Sequence, residues 1–444
     1  MSPKRIVFKK VSRDKSLTVY MAKRDFVDHC DHVDPVEGVV MIDPQQLKGK
    51  KVYVMLSCTF RYGRQDMDVM GVAFRRDLFV VTRQVYPELQ DKSQLTHSKV
   101  QDKLLRKLGE YAFPFFFEFP DNLPCSVALQ PGPNDEGKKC AVEFEVKAFC
   151  ADQSDEKVEK QSSVRLTIRK VQFSPDSPGP APVTETTFEF LMSEKPLYVK
   201  LSLQKETFYH GDPVKVNVEI NNSSSRTIKD ISLSVEQVTN VVLYSNDKYI
   251  KSVAKEETTD VVPSGTSLKQ EYSLFPLLSH NKERRGLALD GRLKHEDTNL
   301  ASSTIVKQEV LKEVQGMLVS YKVVLRMIAS GSVPPPLSSS SVCSHVLIFS
   351  FVSSFVSCVP RVSPHVSPLL SRVSPHVSPL LSRVSPLVSS GRWDPGKCLC
   401  CSVLVLVVAL SLSLLFHVFS DVSVELPFRL MHPKPDAGDP LTCN

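Results

Sequence analysis

The sequence predicts an all-β protein made of two antiparallel β-sandwiches joined by a short hinge. Three observations carry that expectation. Apolar and polar residues alternate with period two almost everywhere up to residue 330, as strands with one dry and one wet face do. A single stretch breaks into helical periodicity. The run "SPDSPGPAP" at 174–182 holds proline too densely for a β-ladder to cross it, so it reads as the hinge.

Taken in order, "VYVMLSCTF" sets Val52, Val54, Leu56, Cys58 and Phe60 on one face. Next comes the helical stretch "KVQDKLLRKLG". Ser98 and Gln101 form a capping box at its start, and Gly109 ends it. Val100, Leu104, Leu105 and Leu108 make its apolar stripe, with Lys103, Arg106 and Lys107 outside. "VEFEVKAFC" alternates through Val142, Phe144, Val146 and Ala148. Beyond the hinge, "VKVNVEI" and "ISLSV" repeat the pattern with Val214, Val216, Val218, Ile220, then Ile231, Leu233 and Val235.

From Val333 the character changes. The eleven-residue unit "RVSPHVSPLLS" occurs twice in tandem, and its Ser-Pro steps disfavour both helix and ladder. An uncharged run from Cys398 to Phe419 follows, just long enough to cross a bilayer. Two readings stand: a membrane anchor near the tail, or a block foreign to the fold, such as translated non-coding sequence. "DVSVELPFRLMHPKP" then returns to strand alternation. The expected organisation is a first domain at 1–174, a hinge at 175–182 and a second domain at 183–332. After the insert at 333–419 come a last strand at 420–435 and a tail at 436–444.

Composition narrows the function. With 444 residues, 42% of them hydrophobic and 23% charged, the chain exceeds one ordinary core and is globular. Five basic residues against one acid in 333–419 supply four of the six net positive charges. A nucleic-acid binder would carry that excess on its folded part, so nucleic acid is not expected as a partner. Cys30, Cys58, Cys125, Cys140 and Cys150 have no ligand-like spacing and suit reduced thiols in the cytosol. The start, "MSPKRIVFKKVSRDKS", does not read as a signal peptide.

The loop "LALDGRLKHEDTNLASST" tests for chemistry. Asp290 and Asp297 could be an acid–base pair. Yet Arg292, Lys294 and His295 between them favour charge pairing over proton transfer. No Ser-His-Asp elbow, HExxH or Walker pattern occurs. No catalytic residue, cofactor or metal is therefore expected, and His29, His32 and His210 read as loop or packing histidines.

A resemblance sharpens this. "VFKKVSRDKSLTVY", "FRYGRQDMDVMG", "SSVRLTIRKVQF", "FYHGDPV" and "RRGLALDGRLKHEDTNLASSTI" are similar to the arrestin family, and most to its rod visual branch. The similarity covers nearly all of 4–330 and resumes at 420–435. It implies two seven-stranded sandwiches. It also implies a buried polar core of Asp25, Arg169, Asp290 and Asp297 acting as a switch between the domains. Lys9 and Lys10 match the family's phosphate-guiding pair, with Arg13, Lys15, Arg24, Arg165 and Lys294 as further phosphate contacts. Gln65, Asp66, Met67, Asp68, Val69, Met70 and Gly71 correspond to the finger loop that enters an activated receptor. Residues 128–139 and 243–251 correspond to two further receptor-facing loops.

The implied partner is phosphorylated, active opsin or another G-protein-coupled receptor, met at the membrane surface. Peripheral membrane association and self-association accompany it, with a cytoplasmic location in photoreceptor outer segments. The family's polar core also takes a second arginine from a C-terminal tail. The ending "HPKPDAGDPLTCN" holds no such arginine, from which a weakened lock is expected.

Overall fold

The computed structural model describes residues 7–64, 74–88, 97–131, 138–156, 158–175, 179–190, 193–242, 246–291, 298–307, 309, 313–331 and 419–433. Its first half opens with strands β1 (Phe8–Val11), β2 (Leu17–Met21), β3 (Asp25–Asp28) and β4 (Val36–Ile42). A one-turn helix, α1 (Pro44–Leu47), leads into the long pair β5 (Lys51–Arg64) and β6 (Phe74–Tyr86). Helix α2 (Lys99–Leu108) precedes β7 (Ala112–Phe117), β8 (Val127–Leu129), β9 (Lys138–Ala151) and β10 (Ser163–Gln172). The second half begins with β11 (Val183–Phe188), β12 (Leu197–Leu203), β13 (Thr207–Tyr209), β14 (Val214–Asn222) and β15 (Arg226–Val242). It continues through β16 (Asn246–Glu257), β17 (Thr266–Leu274), β18 (Ala288–Asp290), β19 (Gly316–Gly331) and β20 (Phe419–Met431).

Four sheets result. β1-β2-β4-β7 faces a seven-stranded sheet ordered β18-β8-β9-β10-β3, to which β5 and β6 add at β9. Their inward residues, among them Leu17, Val40, Phe117, Val54, Phe144 and Ile168, share one buried cluster. In the second half, β11-β12-β14-β17 accompanies β13-β20-β19-β15-β16. The alternation read in "VKVNVEI" is strict there: Val214, Val216, Val218 and Ile220 are buried, and the residues between them are not. Among the described strands, two pairs run parallel, β10 with β3 and β13 with β20. Both place their residues beside the junction of the two halves.

Helix α2 forms as its local sequence dictates. The Ser98 hydroxyl accepts from the Gln101 backbone N–H at 3.2 Å, and the Gln101 side chain accepts from the Ser98 N–H at 3.1 Å. Gly109 closes it at φ +84°, where a Cβ would be strained. The expected stripe packs as Val100, Leu104, Leu105 and Leu108 against Val39, Ala112 and Tyr20. Helix α1 escaped the periodicity because a four-residue element has none. Its signal is the Asp43-Pro44 pair, whose carboxylate caps the Gln45 N–H at 3.0 Å.

One strand ladder ties the halves together, and a second, internal to the second half, seats the last strand. β18, from the second half, pairs with β8 of the first, setting Ala288 opposite Leu129 and Asp290 opposite Val127. β20 pairs antiparallel with β19, from Ser330 opposite Phe419 to Tyr321 opposite Phe428. Val422, Val424, Leu426 and Phe428 are buried while Asp421, Ser423 and Glu425 are exposed. The strand beyond residue 419 therefore meets the sheet in the register its alternation requires.

Candidate functional site: a buried charge pair at the junction of the halves

The site grows from one irregularity in β10. Along "SVRLTIRKVQ", Arg165 and Thr167 are exposed in alternation with buried Val164 and Leu166. From Ile168 to Gln172 every residue is buried. Segments of the second half cover the outward phase there, where Arg169 donates to the Gly291 carbonyl and the Phe173 ring lies 6.3 Å from that of His432, and they also reach Gln172 on the opposite phase. The Gln172 side chain accepts from the Ile305 N–H at 2.7 Å and donates to its carbonyl at 3.0 Å. Ser303, next to that segment, donates its N–H to the Leu430 carbonyl of β20 at 2.8 Å.

Arg169 is thus an outward-phase residue carried under a lid, with 4% of its surface exposed. Parallel pairing sets it opposite Asp25. Its Nε donates to Asp25 Oδ1 at 2.6 Å and its Nη2 to Oδ2 at 2.7 Å. Nη1 donates to the Gly291 carbonyl, one residue past β18, at 3.1 Å. A guanidinium out of water needs this fork-to-fork geometry, because an unpaired buried charge costs far more than the pair gains. The cation therefore touches both halves, Asp25 in the first and Gly291 in the second.

Asp290 enters the same layer with a different partner. Its carboxylate accepts from His432, whose Nε2–H donates at 2.6 Å. The Ser302 N–H adds a second donor at 3.0 Å, and the Ser302 hydroxyl lies at 3.5 Å. Burial alone would raise its pKa. The His432 hydrogen bond and charge, then His210 and the Ser302 N–H, outweigh that and hold it below the ordinary carboxylate range. His432 follows β20, and its ring lies 4.6 Å from that of His210. Burial lowers the His210 pKa to about 4, which keeps that imidazole neutral. Asp297 and Lys294 lie outside the described residues, as do the finger-loop positions Gln65, Asp66, Met67, Asp68, Val69, Met70 and Gly71. Positions 132–137 and 243–245 of the two other loops, the insert from 332 to 418 and the tail from 434 lie outside them too.

The remaining cations gather beside β10. Lys9 and Lys10 are exposed on β1, and Lys10 Nζ donates to the Arg165 carbonyl at 2.5 Å. Arg24 donates through Nε and Nη2 to the Thr167 carbonyl, at 2.9 and 2.7 Å. Arg13 and Lys15 are exposed in the turn after β1, with Lys15 held at φ +61°. Arg165 sits 3.9 Å from Glu145. Four residues along a strand span about 13 Å, so Arg165 and Arg169 mark the open and covered ends of one row.

Three polar residues were missed from sequence. Lys170 is buried on the inward face, bonding to Asp28 at 2.5 Å and the Leu123 carbonyl at 3.1 Å. Its signal was present, since Val164, Leu166, Ile168 and Lys170 share one phase and a lysine there must find an acid. Lys147 lies opposite Arg165 in the ladder. Burial, then the Arg165 charge, lowers its pKa. His432 had no local signal, because its partners are brought to it by tertiary structure alone.

Two sandwiches that share a strand and close over a buried arginine–carboxylate pair define a two-domain β-sandwich protein with a charge lock at its junction. Residues 17–174 match the arrestin (or S-antigen) N-terminal domain, and residues 193–350 match the arrestin (or S-antigen) C-terminal domain. The chain belongs to the arrestin family. It is similar to S-arrestin of Xenopus laevis, 56% identical over 326 residues, which are 73% of this chain and 82% of that one. It is also similar to S-arrestin of Mus musculus, 53% identical over 77% of this chain and 85% of the relative. Beta-arrestin-2 of Homo sapiens stands beside them at 55%, over 73% of this chain and 79% of its own length.

Proposed function

We propose that the chain is a non-enzymatic adaptor that binds phosphorylated, light-activated rhodopsin at the membrane and blocks its coupling to transducin. The observation that carries this reading is the placement of Arg169. It is paired with Asp25 in one half, held by the Gly291 carbonyl in the other, and aligned with exposed Arg165 near Lys10 and Arg24.

A phosphorylated side chain brings roughly −1.5 to −2 charges and three acceptor oxygens. Lys9, Lys10, Arg13, Lys15, Arg24, Arg165 and Lys294 draw it along this face. It then competes with the carboxylates for Arg169, the polar core of Asp25, Arg169, Asp290 and Asp297 opens, and the domains at 1–174 and 183–332 shift about the hinge. The finger loop at 65–71 inserts into the open receptor. Each contact is weak alone, and the second becomes intramolecular once the first has formed. The occupied cavity then excludes the G protein. The protein works in the cytoplasm of the photoreceptor outer segment.

A second reading, a cone-type or non-visual arrestin serving other phosphorylated receptors, is favoured by one observation: the identity to beta-arrestin-2 matches that to the S-arrestins. Pulldown on phosphorylated and unphosphorylated light-activated opsin tests the first reading. The wild-type chain is expected to prefer the phosphorylated form, and Arg169→Glu to lose most of that preference. An Arg169→Glu chain that still demands phosphate would overturn the lock. A chain that binds phosphorylated non-visual receptors as well as opsin would favour the second reading.

A further inference from the structure

We propose that His210, Asp290 and His432 form a binding site for a divalent cation of the zinc class, which clamps together the three segments that carry them. One ring nitrogen of each histidine and one carboxylate oxygen lie within 4.8 Å of one another. His210 follows β13, Asp290 ends β18 and His432 follows β20, so an ion bound there would join strands of both halves' sheets.

The donor set suits the ion. Two imidazoles and one carboxylate are a ligand set for zinc, whereas calcium and magnesium take oxygen donors almost exclusively. Zinc bonds of about 2.0–2.1 Å in a tetrahedron place ligand atoms about 3.4 Å apart. The widest separation in the trio therefore has to close by up to about 1.4 Å from 4.8 Å. The 2.6 Å contact between His432 Nε2 and Asp290 has to open by about 0.8 Å. Both are side-chain adjustments. Ser302 Oγ, 3.0 Å from His210 Nε2 and 3.5 Å from Asp290 Oδ2, stands where a fourth ligand or a bound water belongs.

The side chains of Asp290 and His432 are each 13% exposed, which leaves an ion a way in. From sequence alone, His210 reads as a loop or packing histidine. Alone it would be one, and only the fold adds its two companions. The proposal does not depend on which receptor the chain serves. Its structural consequence is local: Asp290 precedes Gly291, whose carbonyl holds Arg169, so a bound ion would stiffen that side of the lock.

The test uses the full chain with Zn2+ alone, titrated in competition with a zinc-chelating dye, and with Co2+ as a spectroscopic substitute. The expected result is one ion per chain, a cobalt spectrum without sulfur-to-metal charge transfer, and zinc protection of His210 and His432 from diethylpyrocarbonate. His29 and His32, stacked 4.5 Å apart on the surface of the first half, stay reactive. Outer-shell partners alone cost roughly 10–100-fold in metal affinity, so loss of a ligand in His210→Gln or His432→Gln is expected to cost roughly 100-fold or more. No binding by the wild-type chain would overturn the proposal. So would unchanged affinity in either folded variant, or protection confined to other residues. If both variants fail to fold, the protection map on the wild-type chain decides.

Discussion

Arg169 and Asp25 face each other across the parallel β10–β3 pair, and two guanidinium N–H groups reach the two carboxylate oxygens at 2.6 and 2.7 Å. Side-chain exposure is 5% for the arginine and 14% for the aspartate. Breaking such a pair by removing one partner costs about 3–5 kcal/mol, because the survivor keeps its burial and loses its counter-charge. Asp25→Ala is therefore expected to destabilise the chain by about 3–5 kcal/mol. Adding Arg169→Met to it should cost less than the sum of the two single changes. Urea unfolding of the four members of this cycle measures the coupling, and strict additivity would show that the pair is not a unit.

Lys170 and Asp28 form a second buried pair on the same two strands, on the inward face. It offers a control for the lock. Lys170→Ala is expected to lower stability by about 3–5 kcal/mol, as Asp25→Ala does, while preserving discrimination between phosphorylated and unphosphorylated receptor. Equal loss of discrimination in both variants would mean that the effect at Arg169 is only one of stability.

Gln101 joins helix α2 to the sheet beneath it. Besides closing the capping box, its amide donates to the Gly38 and Phe115 carbonyls at 3.2 and 3.0 Å, and the residue is 4% exposed. Gln101→Ala removes the cap and orphans two carbonyls, for an expected loss of about 2–4 kcal/mol. Gln101→Glu keeps the cap acceptor but has no donor for those carbonyls and buries a charge. It should be no more stable than the alanine variant in thermal unfolding. If the glutamate variant is near wild type, the helix is held by its apolar stripe alone.

What could be read from the sequence was what is local. Alternation in β14 and β20 and the capping box of α2 depend on residues within a few positions of each other, and they stand where the pattern put them. The buried stretch of β10 was not legible in full, because its lid comes from residues 302–305 and from β20. Arg169 and Asp25 entered through family likeness, since nothing in "DFVD" or "TIRKV" by itself says that the two strands pair in parallel. Asp290 shows the limit most plainly. Its donors come from Ser302 and His432, and the second of these lies beyond an insert that no pattern bridges.

Asp14 gives a pH prediction away from the lock. Burial opposes its charge, but hydrogen bonds from Ser162, Ser12 and Ser16, and from the Ser16 N–H, bring its pKa from 3.8 to about 2. A carboxyl with a depressed folded pKa contributes stability above its unfolded value, and that stability is lost as pH falls through the folded one. The contribution is thus complete above about pH 4 and fades toward about 2. Asp14→Asn should flatten the acid limb of the stability–pH curve in that window and leave its slope near neutrality unchanged. Parallel curves for the two proteins between those limits would refute the assignment.

The thiols supply the last test. Cys58 and Cys150 are both buried and free, on the adjacent strands β5 and β9. Burial pushes the Cys150 thiol up to about 11, and that of Cys58 further still. Because the thiolate is the nucleophile, alkylation near neutral pH is slowed twice, by the scarcity of thiolate and by the absence of an approach path. Iodoacetamide labelling of the native chain, followed by unfolding and a second isotope-coded label, should give Cys58 and Cys150 a higher share of second label than the partly exposed Cys30. The same pattern should hold in a reducing buffer, since neither sulfur enters a disulfide. Rapid first-label modification of Cys150 in the native chain would show that the sheet opens locally far more often than its pairing with β5 and β10 allows.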